Sequence, residues 1–220
     1  MATHRFLCVS DLHGEIPPEV DETGVAAWLV AGDVAGPDGK GRRFLAWARH
    51  RKALVVRGNH DGTGGLAIML RRQKLDLTGK AKAIVPGLWV VGVGWSGDLP
   101  TDLPEEWQVE RRCFMARRML KREAEPGDAV ILLTHYPPKL PGLSFAGEYA
   151  CVGQLMIHLT PIAVVFGHDH GKFSEQFVHE GSRGQTLLAC PGPDGGTLDV
   201  DLENRSAKFA PWLPPTRGGG

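Results

Sequence analysis

The feature that most constrains this chain is a set of short, unbroken apolar runs, each stopped by Gly, Asp, Asn or His. Residues 6–10, 27–31, 54–57, 129–134 and 163–166 are such runs. They are continuous rather than alternating, the pattern of strands covered on both faces. Helical patterns fall between several of them: residues 42–50, 66–73, 105–124 and 152–159. In the longest, introduced by Pro104, Val109, Cys113, Ala116 and Leu120 share one stripe and the arginines lie elsewhere. Residues 81–85 and 88–93 flank Pro86-Gly87 and read as a hairpin. The runs 173–179, 186–190, 197–202 and 207–210 read as a strand-rich ending. α/β units followed by a meander predict an α/β fold in which two packed sheets carry helices outside.

With 220 residues the expectation is one domain over 1–210, followed by a poorly ordered tail over 211–220. A formal net charge of zero gives no global support for an extended nucleic-acid surface. No apolar stretch is long enough to span a bilayer, so no membrane partner is expected, and the first strand begins at once, leaving no room for a leader. The four cysteines, Cys8, Cys113, Cys151 and Cys190, form no Cys-x-x-Cys pair. A thiolate zinc site is not expected, and reduced thiols in a cytoplasmic protein are.

The chemistry lies where the runs stop. Asp11 and His13 follow the first run, and Asp33 the second. Asn59, His60 and Asp61 follow the third, His135 the fourth, and His168 and His170 the fifth. In a largely parallel sheet these ends share one edge, where binding crevices form. Carboxylates, an amide oxygen and imidazoles crowded together would repel or go unsatisfied without cations. Imidazole with carboxylate suits Mn, Fe, Zn, Co or Ni. The donors outnumber what one ion takes, so two ions sharing a carboxylate fit better. Each residue alone has an ordinary reading, as a helix cap, a turn former or a surface histidine. Seven or more such coincidences in order do not.

Asp-x-His, Gly-Asp, Gly-Asn-His-Asp, His and Gly-His-x-His, in this order and each after a strand, resemble the calcineurin-like metallophosphoesterase superfamily. The likeness spans Asp11 to His170. It implies a four-layer α-β-β-α sandwich with two mixed β-sheets. It implies Asp11, His13 and His170 on one metal, Asn59, His135 and His168 on a second, and Asp33 bridging both. It implies hydrolysis of a phosphate ester by a hydroxide held between two divalent ions, Mn foremost. His60 would act at the leaving group, with Asp61 hydrogen-bonded to its other ring nitrogen and raising its pKa. The segment 14–24 carries little helical pattern, where many members place a full helix. The stretch after Asp33 lacks the arginine of the family's protein phosphatases and dinucleoside tetraphosphate hydrolases, and the size resembles its small phosphodiesterases.

Loops at 94–104 and 136–150 are the expected walls of a substrate site, with Trp95, Ser96, Tyr136, Lys139, Phe145 and Tyr149 as candidates. Their aromatic rings either stack on a nucleobase or pack the loops against the core. A monoester would call for an extra cation near the metals, for which Lys139 and Lys172 are the candidates. A small or nucleotide-like phosphodiester is the expected substrate, a phosphomonoester the alternative, and an inactive binding scaffold the third reading. Oligomeric state is not legible. His4, His50, His158 and His179 receive no role, Asp169 is expected to point away from the metals, and the arginines of 111–122 are read as a solvated helix face.

Overall fold

The computed structural model describes residues 3–36, 41–61, 65–95, 103–181 and 184–212. Its strands are β1 (Thr3–Val9), β2 (Val25–Ala31), β3 (Ala53–Val56), β4 (Lys80–Val85), β5 (Leu88–Val93), β6 (Ala129–Thr134), β7 (Ala163–Val165), β8 (Glu175–Gly181), β9 (Gly184–Cys190), β10 (Gly196–Asp201) and β11 (Ser206–Pro211). The helices are α1 (Arg42–Arg49), α2 (Gly65–Arg72), α3 (Glu106–Glu123) and α4 (Ala150–Leu159). One sheet runs β11-β10-β1-β2-β3 and the other β4-β5-β6-β7-β9-β8. Both are mixed. β1-β2-β3 and β5-β6-β7-β9 are parallel, and antiparallel partners close the flanks.

Three apolar layers explain the unbroken runs. In β1, Phe6 and Cys8 face the second sheet, while Leu7 and Val9 face outward. The inner layer joins Leu29, Ala31, Leu54 and Val56 of the first sheet to Val90, Ile131, Leu133 and Val165 of the second. Outside the first sheet, Trp28, Val30 and Val55 pack on Phe44, Leu45 and Ala48 of α1 and Leu66 and Leu70 of α2. Outside the second, Val91, Leu132 and Val164 pack on Val109, Cys113, Ala116 and Leu120 of α3 and on α4. Both faces of each central strand are buried, so neither alternates with polar residues. The order is helix, sheet, sheet, helix, as expected.

Three expectations are corrected. The strand expected from Phe173 begins at Glu175, because His170–Lys172 form a single 3-10 turn first. The tail expected from Pro211 starts too early. Pro211 pairs with Gly196 in β11, and Trp212 packs edge-on against Trp28 at 5.8 Å and donates its indole N–H to Thr197 Oγ1. The remainder of that expected tail, 213–220, lies outside the described residues, as does Ser96. Finally, the strand ends bearing the candidate ligands do not share a single sheet. β1, β2 and β3 belong to one sheet and β6 and β7 to the other, so the crevice opens where the two meet.

Candidate metal centre

Asp11, Asp33 and His135 are the buried floor of the crevice, 3%, 2% and 0% exposed. Donor atoms of these three lie within 4.8 Å of one another, as do those of Asp11, His13 and His170, and those of His13, Asp33 and His60. Asp33 Oδ2 is 3.4 Å from His135 Nε2 and 3.8 Å from His60 Nε2. Asp11 Oδ1 is 3.6 Å from His170 Nε2. Asn59 Oδ1 lies 3.1 Å from His135 Nε2, and His168 Nδ1 lies 3.3 Å from the same nitrogen. All seven candidate ligands and His60 therefore converge.

Local backbone geometry is bent to this end. Asp11, His13, Asp33 and His168 have φ of 54°, 45°, 53° and 71°. They are half of the eight non-glycine residues with positive φ among the described residues. Such left-handed conformations cost free energy and collect at functional sites. The glycines of the motifs give the candidate ligands room. A Cβ on Gly32 would come within 2.6 Å of His135 Nδ1, and one on Gly167 within 2.6 Å of Asp11 Oδ2. A Cβ on Gly58 would collide with Asp33, and one on Gly147 with the His168 ring.

Each imidazole is oriented by what it does not give to the crevice. His135 Nδ1 stands 2.8 Å from Ala31 O, so it carries the proton and Nε2 faces Asp33 and Asn59. Gly147 closes off His168 at Nε2, leaving Nδ1 toward His135. The backbone N–H of His60 donates to Asp33 Oδ1 and that of His168 to Asp11, at 2.9 and 3.2 Å. His13 Nε2 is buried with no hydrogen-bond partner among the described residues. An orphaned imidazole nitrogen, two imidazoles meeting nitrogen to nitrogen, and two buried carboxylates are a donor set that a divalent cation satisfies.

Protonation follows the same logic. Burial disfavours the His135 cation, but the Asp33 charge and contact outweigh it and lift His135 to about 9. Burial likewise opposes ionisation of Asp33, yet His135 holds its carboxyl well below the usual range. Burial, with His135 beside it, drops His168 to about 4. Burial also lowers His13.

Asp61 does not hold His60. It is fully buried and accepts from the backbone N–H groups of Val34 and Ala35 through Oδ1 and of Gly58 through Oδ2, at 2.9, 2.8 and 2.9 Å. It ties the loop bearing Asp33 to the turn bearing Asn59 and His60. Burial, then the nearby Asp33 charge, push it up to about 7 against those bonds. The expected His60–Asp61 pairing is thus replaced by a positioning role. His60 meets Asp33 instead and is 48% exposed at the rim.

The expected aromatic walls are corrected as well. Trp95, Tyr136 and Tyr149 are 8%, 0% and 6% exposed and belong to the core beneath α3 and α4. Tyr149 donates its hydroxyl hydrogen to Pro104 O. Tyr136 stands edge-on to the rings of His135 and His168 and supports them from behind. Lys139 is exposed and 3.8 Å from Glu148, and Lys172 is 3.6 Å from Glu175. Asp169 does point away from the crevice. It accepts from Ala146 and Gly171 N–H at 2.9 and 3.1 Å, fastening the loop that carries Gly147. Sequence alternation placed Asp169 on the far side, but nothing in the sequence named Ala146 as its partner. Phe173, not singled out from the sequence, lies 4.9 Å from the His170 ring.

A two-sheet sandwich with aspartate, histidine and asparagine gathered at its strand ends is the architecture of a metal-dependent phosphoesterase. The chain belongs to the calcineurin-like phosphoesterase family, whose model matches residues 4–172 and so spans every candidate ligand. The family implies divalent metal ions. Solved structures share the fold at low identity. The protein TT1561 of Thermus thermophilus is 17% identical with a TM-score of 0.58, covering 96% of this chain and 99% of its own. The phosphopantetheinyl hydrolase PptH of Mycobacterium tuberculosis is 16% identical with a TM-score of 0.52, covering 86% and 91%. The calcineurin-like phosphoesterase YfkN of Bacillus subtilis is 12% identical with a TM-score of 0.52, covering 95% and 88%. No curated protein matches the sequence significantly.

Two outcomes follow from this geometry. Asp61→Ala leaves three buried N–H groups unpaired and is expected to cost about 3 kcal/mol in urea denaturation, with reduced metal content. The second concerns protons. His135 rises from 6.5 to about 9, so between those pH values the metal-free site holds a proton that a ligating imidazole cannot keep. Metal affinity should therefore increase with pH up to about 9. Calorimetric titration with Mn at pH 7.5, in buffers of different ionisation enthalpy, should register about one proton released per site.

Proposed function

We propose that this protein hydrolyses a phosphodiester, using two divalent ions held by the strand-end residues. The observation that carries the reading is the donor count around Asp33 and Asp11. Seven side chains converge within ligand reach, more than one ion accommodates. Asp11, His13 and His170 would hold one ion, and Asn59, His135 and His168 the other. Asp33, between the two groups, would serve both. When bound, the ions supply Lewis acidity, activating water for attack at phosphorus and neutralising the phosphoryl oxygens. Mn is the favoured metal, with Fe, Zn, Ni and Co compatible with the same donors.

The protein's own part is positioning and proton transfer. Its backbone N–H groups hold Asp33 and Asp11 in place, and Asp61 keeps two ligand loops together. His60, half exposed at the rim beside Asp33 and His13, would give a proton to the leaving oxygen. A diester is favoured over a monoester by the state of the two lysines. A dianionic terminal phosphate would need an additional cation, and Lys139 and Lys172 already face Glu148 and Glu175. The substrate class is a small or nucleotide-like ester. Four free, buried cysteines suit a reducing compartment, so the cytoplasm is part of this reading. No helix among the described residues is long and apolar enough to cross a membrane.

The protein should be stripped, reloaded with Mn, Ni, Co, Zn or Mg, and assayed on bis-p-nitrophenyl phosphate beside p-nitrophenyl phosphate. Metal-dependent cleavage with the diester faster is expected. Monoester preference would overturn the diester reading, and absence of both turnover and bound metal would overturn the enzyme. In the same assay His60→Ala should keep its metal content and lose about a hundred- to ten-thousandfold in kcat. A normal rate in that variant would remove His60 from the reaction.

A further inference from the structure

The outer face of α3 is exposed, as expected of its arginines, but it carries aromatic rings among them. Val109, Cys113, Ala116 and Leu120 bury one side. On the opposite side the helix presents Trp107, Arg111, Phe114, Arg118 and Lys121, spaced by four, three, four and three residues, so they form one stripe along the crest. From Trp107 to Lys121 this stripe runs about 21 Å along the helix. Trp107 and Phe114 are 60% and 63% exposed, and Met115 and, on α4, Ile157 extend the apolar surface at 41% and 59%. Scattered apolar residues on a surface are ordinary, but two aromatic rings alternating with cations on one crest are not.

The cations there are uncommitted. Arg111, Arg117, Arg118 and Lys121 make no ion pair or hydrogen bond among the described residues. Arg122 pairs with Glu123 at 2.8 Å, and the exposed acids Glu105, Glu106 and Glu110 lie beside Trp107 and on the flank of the stripe, so the positive charge gathers toward its C-terminal half. Phe114, Arg117, Arg118 and Lys121 line a cleft of about 310 Å³, so three cations surround one apolar-edged recess. The whole chain has a formal net charge of zero, so this positive face is a local device.

We propose that the outer face of α3 docks the protein onto an anionic lipid surface. Trp107 and Phe114 enter the boundary between headgroups and acyl chains, while Arg111, Arg118 and Lys121 engage the phosphates. Charge complementarity requires an anionic occupant. α3 covers the outer face of the second sheet, and the interleaved aromatic and cationic side chains exposed on it match a headgroup layer.

The test uses the full chain and co-sedimentation with vesicles of phosphatidylcholine, with and without about 30% phosphatidylglycerol. Binding to the anionic vesicles is expected, at least tenfold stronger than to neutral ones and lost in high salt. Arg118→Gln with Lys121→Gln should weaken it about 25-fold, about fivefold per cation removed. Trp107→Ser with Phe114→Ser should also release the protein, and both double variants should keep wild-type esterase activity because the crest is remote from the candidate ligands. Failure of the protein to sediment with anionic vesicles, or equal sedimentation of wild type and both variants, overturns the proposal. Capture by polyglutamate without any vesicle binding would assign the face to an acidic polypeptide and overturn it equally.

Discussion

The structure depends on two carboxylates, Asp11 and Asp33, held almost out of water at the junction of two sheets. Burying them without compensation would cost several kcal/mol each or force them to take up protons. The fold supplies some compensation from backbone N–H groups and from His135, whose retained proton pairs with Asp33. This balance is provisional. The same contacts leave His13 Nε2 unpartnered among the described residues and set His168 against His135 nitrogen to nitrogen. The divalent cations that the family implies would replace a proton by stronger charge and give those nitrogens a partner. Metal affinity and residual strain are then two sides of one arrangement.

That arrangement explains why strands carry the candidate ligands and glycines accompany them. A ligand shell tolerates errors of only a few tenths of an ångström, and parallel strands in a doubly covered sheet are the stiffest positions the chain offers. Bringing five strand ends together from two sheets crowds backbone against side chain. Gly32, Gly58, Gly147 and Gly167 are the places where a Cβ would strike a candidate ligand. Three of them stand next to a candidate ligand in sequence. Gly147 is remote, and the loop that brings it to His168 is fastened by Asp169 through Ala146 and by Phe145 packed on Phe166.

This difference separates what was legible in the sequence from what was not. The candidate ligand set could be read because each member follows an apolar run, and run ends in parallel sheets are forced to one side of the molecule. The alternation of Leu7 and Val9 with Phe6 and Cys8 was hidden, since all four are apolar, yet the lack of a polar face announced the four layers. Asp61 was misassigned because sequence adjacency to His60 suggests contact, whereas a 3-10 turn over Asn59–Asp61 aims the neighbouring side chains in different directions. One meets the rim and the other the interior. The aromatic residues at 95, 136 and 149 raised the same difficulty. Composition cannot tell a ring that lines a cleft from one that packs beneath it, and only the position of α3 and α4 over the second sheet decides for packing.

Packing those rings has a consequence for selectivity. With Tyr136 buried behind His135 and His168, the crevice floor is closely packed and lined by Asp11, Asp33 and His135, suited to the phosphoryl group that every substrate of such a centre shares. Discrimination between substrates must then come from the rim, where His60, His170 and the loop containing Lys139 are exposed. A buried floor with an open rim favours small esters whose phosphorus can reach Asp33, and it places little demand on the remainder of the molecule. Placing the enzyme where such a substrate lies is a separate task, and it falls to surfaces outside the crevice.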